Sequence, residues 1–241
     1  MAEIYDYPTG FDDSGNKNAS FRRIIGTGKR VLEIGRATGY VGEHLVRQQS
    51  CRVYDAEYGA DMAERARARG CYEEVLTGDI LDPATVAGLT PGGFGFVLFG
   101  DVLEHLTAPE TALRNIAPLL AFGGHILICV PSIIHWYLRL WMMRGRFEYT
   151  DTGSLDRIHV HFFTPKTAHN LVWGEGFWVV QEGGGVWLPS IVYRLPPKVR
   201  GALERPLARL SLDLVYGQSL LDVQRNTDVQ RKTDVQREVP L

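Results

Sequence analysis

Val31-Leu-Glu-Ile-Gly-Arg-Ala-Thr-Gly39 reads as a buried strand running into a small-residue turn, with a helix starting at Tyr40. Val31, Leu32 and Ile34 make the apolar strand. Gly35, Ala37 and Gly39 are small at alternate positions, so the backbone here can approach a ligand closely, and glycine allows the positive φ such a turn needs. The following helix offers free N–H groups and a positive dipole end to an anionic group. Glu33 adds a carboxylate at the end of the strand. A turn of this kind also serves simply to pack a helix close to a sheet, so its neighbours must decide its meaning.

Working outward, apolar runs that end in polar residues recur. Residues 52–57 end with Asp55 and Glu57, 72–76 lead into Thr77-Gly-Asp79, 94–99 into Gly100-Asp101, and 125–130 into Pro131. Helical patterns separate them at 40–49, 61–69 and 109–121, with a short helix expected after Pro83. A further helix is expected at 18–25, before the opening strand. The alternation across 30–130 predicts an α/β fold, a doubly wound, mainly parallel sheet with helices on both faces. Ligands of such sheets sit outside the carboxyl ends of the strands. Glu33, Glu57, Asp79 and Asp101 all fall at such ends. Any one of them alone reads as a helix cap or a surface acid; four together point to a shared site.

The chain of 241 residues, 45% hydrophobic and 22% charged, has the composition of one globular domain with a substantial core. A net charge of −2 supplies no global field for nucleic acid. Cys51, Cys71 and Cys129 are odd in number, far apart and in apolar surroundings. This favours reduced thiols and a cytoplasmic location over a disulfide framework or a zinc site. The N-terminus has neither a basic flank nor an apolar run, so no signal peptide is expected. No apolar stretch reaches the ~18–20 residues of a membrane span.

Beyond 130 the pattern loosens. Residues 133–147 are dense in aromatic and apolar side chains, among them Trp136, Tyr137, Trp141 and Met143, with Arg139, Arg144 and Arg146 interspersed. This run reads as a lid or wall over an acceptor, as core or dimer packing, or as a weak peripheral membrane contact. A polar stretch ends in His159-Val-His-Phe-Phe-Thr164; a helix follows at 165–175 and a strand at 176–181. Residues 201–217 have a helical pattern. From 222 the tetrad Asp-Val-Gln-Arg recurs at 222, 228 and 234, a balanced repeat too polar to bury a core.

With these residues in place, residues 25–182 resemble the class I S-adenosylmethionine-dependent methyltransferases. The opening turn looks like that family's cofactor loop, with Ala37 where many members have Gly. Arg52-Val-Tyr-Asp-Ala-Glu57 is similar to its second-strand acid motif, and Gly78-Asp79-Ile80 to its adenine-side motif. Asp101-Val-Leu-Glu-His-Leu106 and Phe122-Gly-Gly-His-Ile-Leu-Ile-Cys-Val-Pro131 resemble its fourth- and fifth-strand signatures. The segment 145–164 is similar to a bacterial subgroup, some of whose members occur beside or fused to glycosyltransferases. Two departures stand out: Arg36 replaces a small residue, and Phe96 stands where Asp is frequent.

The resemblance implies a Rossmann-like, seven-stranded sheet whose last hairpin contributes one antiparallel strand. It implies an N-terminal arm and short helix at 1–28 and a methyltransferase domain at 29–200, with an acceptor-side insertion at about 131–164. A C-terminal helix at 201–221 and a disordered tail at 222–241 complete the expected division. S-adenosyl-L-methionine is the implied cofactor. Glu57 would take the ribose diol, with Asp55 the competing acid, and Asp79 and the Ile80 backbone would meet the adenine. Gly35, Ala37 and Gly39 would admit the methionine part, with Glu33 and Asp101 close by. The implied reaction is methyl transfer to a small-molecule or glycan acceptor, at oxygen.

A hydroxyl acceptor calls for a base, and His105, followed by His159 and His135, is the candidate, with Asp101 counted beside His105 and His159 in the catalytic group. Asp101, Glu104 and His105, spaced i, i+3 and i+4, also suit a divalent metal, although no metal is needed for the expected chemistry. A regulator or scaffold that binds the cofactor without catalysis is the main alternative. A nicotinamide-dependent oxidoreductase fits less well, because the turn lacks Gly-x-Gly-x-x-Gly spacing.

Overall fold

In the computed structural model, residues 17–35, 40–186, 214 and 216–226 are described. The expected alternation is present as β1 (Arg30–Ile34), α2 (Tyr40–Gln49), β2 (Arg52–Glu57), α3 (Ala60–Ala68), β3 (Glu74–Thr77), β4 (Phe94–Gly100), α4 (Pro109–Ile116) and β5 (Leu120–Pro131). The helix α1 (Lys17–Ile25) precedes them; α5 (Trp136–Met143), α6 (Pro165–Gly174), β6 (Phe177–Val186) and β7 (Tyr216–Arg225) follow. The seven strands form one sheet in the order β3-β2-β1-β4-β5-β7-β6. β1 to β5 pair in parallel, and β7 is antiparallel to both β5 and β6.

Parity along the strands divides the core into two layers. Leu32 and Ile34 of β1 join Val97, Phe99 and Ile128 beneath Leu113 and Ile116 of α4 and Val172 of α6. Val31 joins Val53, Leu98 and Leu127 beneath Phe21 of α1 and Leu45 of α2. β4 is buried along almost its whole length, as a central parallel strand covered on both sides must be. Phe96 spends its side chain on packing: it is buried and stacks on His125, with ring centroids 5.1 Å apart. Glu33 has the parity of Val31 and so faces α2. A Cβ at Gly42 would lie 2.6 Å from Glu33 Oε2 and 2.5 Å from the Tyr72 hydroxyl, so α2 approaches this acid only because position 42 lacks a side chain.

The C-terminal expectations need correction. Tyr216–Arg225 is a strand, not the end of a helix followed by a tail, and the sheet therefore extends well past residue 200. The first Asp-Val-Gln-Arg copy is its second half. Asp222 looks like a solvated tail charge, but it is buried, and His125 Nδ1 donates to its Oδ1 at 2.6 Å. Gln224 Nε2 donates to the other ring nitrogen at 2.9 Å. Leu220, Leu221 and Val223 bury the rest of the strand, so cross-strand partners decide what composition could not. The copies at 228 and 234, the N-terminal arm at 1–16 and the expected helical residues 201–213 lie outside the described residues.

Candidate functional site

The strand order reverses between β1 and β4, which opens a crevice at their carboxyl ends. Gly35 ends β1 with φ +63°, and its N–H donates to Ala56 O at 2.9 Å. A Cβ there would meet Val102 at 3.1 Å, so the position needs glycine both for conformation and for space. Arg36, Ala37 and Gly39 lie outside the described residues.

Glu33 is fully buried, and the Tyr72 hydroxyl donates to its Oε2 at 3.2 Å. Burial, reinforced by the Glu33 charge, pushes the Tyr72 hydroxyl above its ordinary pKa, so it stays protonated and keeps donating. Asp55 pairs in register with Glu33, inside the sheet, whereas Glu57 is the last residue of β2. Of the two competing acids, Glu57 therefore stands at the crevice mouth. At the end of β3, Asp79 is half-buried and its Oδ1 accepts from Leu81 N at 2.9 Å, while Ile80 is buried beside it. A Cβ at Gly78 would come within 2.6 Å of Thr85 Oγ1. Asp101, after β4, adopts φ +60°, an uncommon conformation for a side-chain-bearing residue. It pairs with Lys17 of α1 and accepts from Gln218 Nε2 of β7 at 3.2 Å. The crevice thus combines a close-packed glycine turn with carboxylates at successive strand ends, acceptors able to take the hydroxyl or amino hydrogens of a nucleoside.

Beyond β4, two loops dock on each other. A 3₁₀ turn, Leu103–His105, follows β4. The Glu104 carbonyl accepts from the backbone N–H groups of Val160 and His161 at 2.8 and 3.0 Å. The Ser132–Phe163 bridge and the Thr164–Thr167 capping box at the start of α6 hold the far end of the same loop. This docking brings His159 against His105, with ring centroids 4.8 Å apart. Glu104 is only 1% exposed, and neither carboxylate oxygen has a hydrogen-bond partner among the described residues. Burial pushes its carboxyl up to about 8. Burial also lowers the pKa of both imidazoles, partly offset at His105 by the Ile158 carbonyl and worsened at His159 by the His105 ring. One ligand atom from each of Glu104, His105 and His159 lies within 4.8 Å of the others.

The structure thus regroups the sequence candidates. His105 and His159 meet, but Asp101 belongs to the Lys17–Gln218 contact and not to a triad with Glu104 and His105. His135 is buried at the N-cap of α5, stacked on Tyr137, and is not in that cluster. The burial of Glu104 was not legible, although its place directly after the fourth apolar strand was a usable signal.

A family model described as "Methyltransferase domain" matches residues 15–182. An S-adenosylmethionine-dependent methyltransferase from Mesorhizobium loti shares the fold with a TM-score of 0.61 at 16% identity, over 90% of this chain and 100% of that one. A phosphoethanolamine N-methyltransferase from Haemonchus contortus, solved with S-adenosyl-L-methionine, has a TM-score of 0.58 at 13% identity, over 87% of this chain and 52% of that one. The fold is that of the class I, Rossmann-like methyltransferases. The chain belongs to the methyltransferase-domain family, whose cofactor is S-adenosyl-L-methionine, and this decides against the nicotinamide reading. A ubiquinone biosynthesis O-methyltransferase from Pectobacterium carotovorum is 27% identical over 117 residues, 48% of this chain and 47% of that protein. The chain thus spans about half the length of the curated relatives it matches.

Proposed function

We propose that this protein methylates a hydroxyl group of a small-molecule or glycan acceptor, and that Glu104, His105 and His159 form the polar wall facing that hydroxyl. The observation that carries the reading is the convergence of one buried carboxyl group, without a hydrogen-bond partner among the described residues, and two imidazoles at the carboxyl end of β4. Oxygen as the acceptor atom is further supported by the partial likeness to O-methyltransferases. A glycan acceptor is supported by the resemblance of 145–164 to the glycosyltransferase-associated subgroup.

The cofactor supplies a methyl group already activated as a sulfonium, so the chain mainly has to position and deprotonate. Gly35, Ala37 and Gly39 admit the methionine part; Glu57 accepts from the ribose diol; Asp79 and Ile80 meet the adenine. Glu33 braces the turn from below. Asp101, held by Lys17 and Gln218, orients the end of β4. His105, kept neutral by burial, takes the hydroxyl proton as the acceptor oxygen takes the methyl group, and His159 backs it. The test is transfer of labelled methyl from S-adenosylmethionine across a panel of phenols, sugars and amines. Turnover with hydroxyl acceptors, lost in His105→Gln, supports the reading. Cofactor binding with no turnover on any acceptor supports the regulator or scaffold instead.

The same cluster favours a second reading, in which a divalent cation is held by Glu104, His105 and His159. A carboxylate and two imidazoles suit such an ion, which would lower the pKa of the acceptor hydroxyl. Full activity after chelation removes this reading. A thermal shift on adding Mg²⁺ or Mn²⁺, absent in Glu104→Gln, supports it.

A further inference from the structure

α5 is apolar at every position except Arg139, yet Leu138 is its only buried residue. A helix that is apolar all round is ordinarily enclosed. The stripe opposite Leu138 runs through Trp136, Arg139, Leu140 and Met143, at i, i+3, i+4 and i+7. Met143 is 75% exposed, and Tyr137 and Leu140 are exposed beside it. Phe147 continues the exposed apolar surface into the following loop. Arg139, Arg144 and Arg146 lie in this run, and residues 132–147 contain no acidic residue, in a chain whose net charge is −2. None of the three arginines forms an ion pair with a carboxylate among the described residues. Arg139 and Arg144 instead donate to the carbonyls of Ile134 and Leu140, which holds their guanidinium groups against the helix.

We propose that this face docks on an anionic lipid surface, with the apolar side chains entering the headgroup boundary and the arginines meeting the lipid phosphates. The charges argue against the two other occupants. A two-fold contact between copies apposes the same patch to itself and would bring like charges together. The residues joining β6 to β7, 187–215, carry five basic residues against two acidic, so that segment would also set cations on cations. An anionic interface is complementary to both, and aromatic residues with arginine suit the headgroup region. The face borders the carboxyl end of β5, the end of the sheet that carries the candidate site.

The test is co-sedimentation of the full chain at low salt with vesicles of phosphatidylglycerol and phosphatidylcholine, and with phosphatidylcholine alone. Binding should require phosphatidylglycerol and fall steeply with salt. The double variant Arg144→Gln/Arg146→Gln should bind roughly 25-fold more weakly, at about five-fold per arginine. Met143→Ser should weaken binding at unchanged salt dependence. S-adenosylhomocysteine affinity serves as the control for folding, and the salt titration of the unaltered chain stands if a variant does not fold. No sedimentation with phosphatidylglycerol at low salt overturns the proposal. So does equal binding to both vesicle types, or a concentration-dependent dimer that Met143→Ser disperses while vesicles stay unbound.

Discussion

Glu104→Gln should make the protein more stable at neutral pH and no more stable in acid. The substitution keeps the shape of the side chain and removes only its ability to ionise. In the fold, burial holds the carboxyl at about 8, against an ordinary 4.5 in the unfolded chain. Above pH 4.5 the unfolded chain releases this proton while the fold retains it, so stability falls as pH rises until the folded carboxyl ionises near 8. At ~1.4 kcal/mol per pH unit, the group lowers stability by about 3 kcal/mol at pH 7 relative to pH 4.5. For a chain of this size that is about 6–12 °C in melting temperature. The assay is a pair of melting curves, with and without the substitution, at pH 5 and pH 7 in the presence of a chelator. The difference between the two proteins should be small at pH 5 and favour the variant at pH 7. A variant equal to or less stable than the original at pH 7 refutes the reasoning, because Glu104 would then have a partner that rewards its charge. Adding Mg²⁺ or Mn²⁺ separates the two readings of the cluster: a bound cation would raise the melting temperature of the original chain alone.

Both ring titrations of His105 and His159, followed by nuclear magnetic resonance, should fall below 6.5, because burial disfavours the charged imidazole. Removing the His105 ring should raise the value at His159, and either histidine titrating above 6.5 contradicts the burial account. Gly35→Ala should cost about 1–2 kcal/mol from its left-handed conformation alone, with further strain against Val102, and should weaken S-adenosylhomocysteine binding in calorimetry. Thr164→Ala should remove the capping box of α6 and about 1 kcal/mol of stability, read by thermal melts, without changing cofactor affinity. Equal losses of affinity in these two variants would show that the Gly35 effect is only global.

The sequence by itself determined the class of fold and the crevice. An unbroken apolar run marks β4 as a buried strand, and small residues after β1 with acids at the ends of β2, β3 and β4 mark one end of a parallel sheet, because these are local properties of contiguous residues. The family resemblance favours Glu57 over Asp55 for the ribose, and the register puts Glu57 at the last position of β2. Tertiary structure decided the rest. Asp222-Val-Gln-Arg225 reads as tail until β5 and β6 flank it, since a strand that owes its burial to distant partners carries little signal of its own. The i, i+3, i+4 spacing suggested Asp101 with Glu104 and His105, but the turn that carries the pair is 3₁₀, and Asp101 contacts Lys17 and Gln218 and lies outside the cluster. His159 takes that place from more than fifty residues away, because two backbone N–H groups clamp its loop onto the Glu104 carbonyl, and no local pattern encodes a contact made through the main chain of a distant loop.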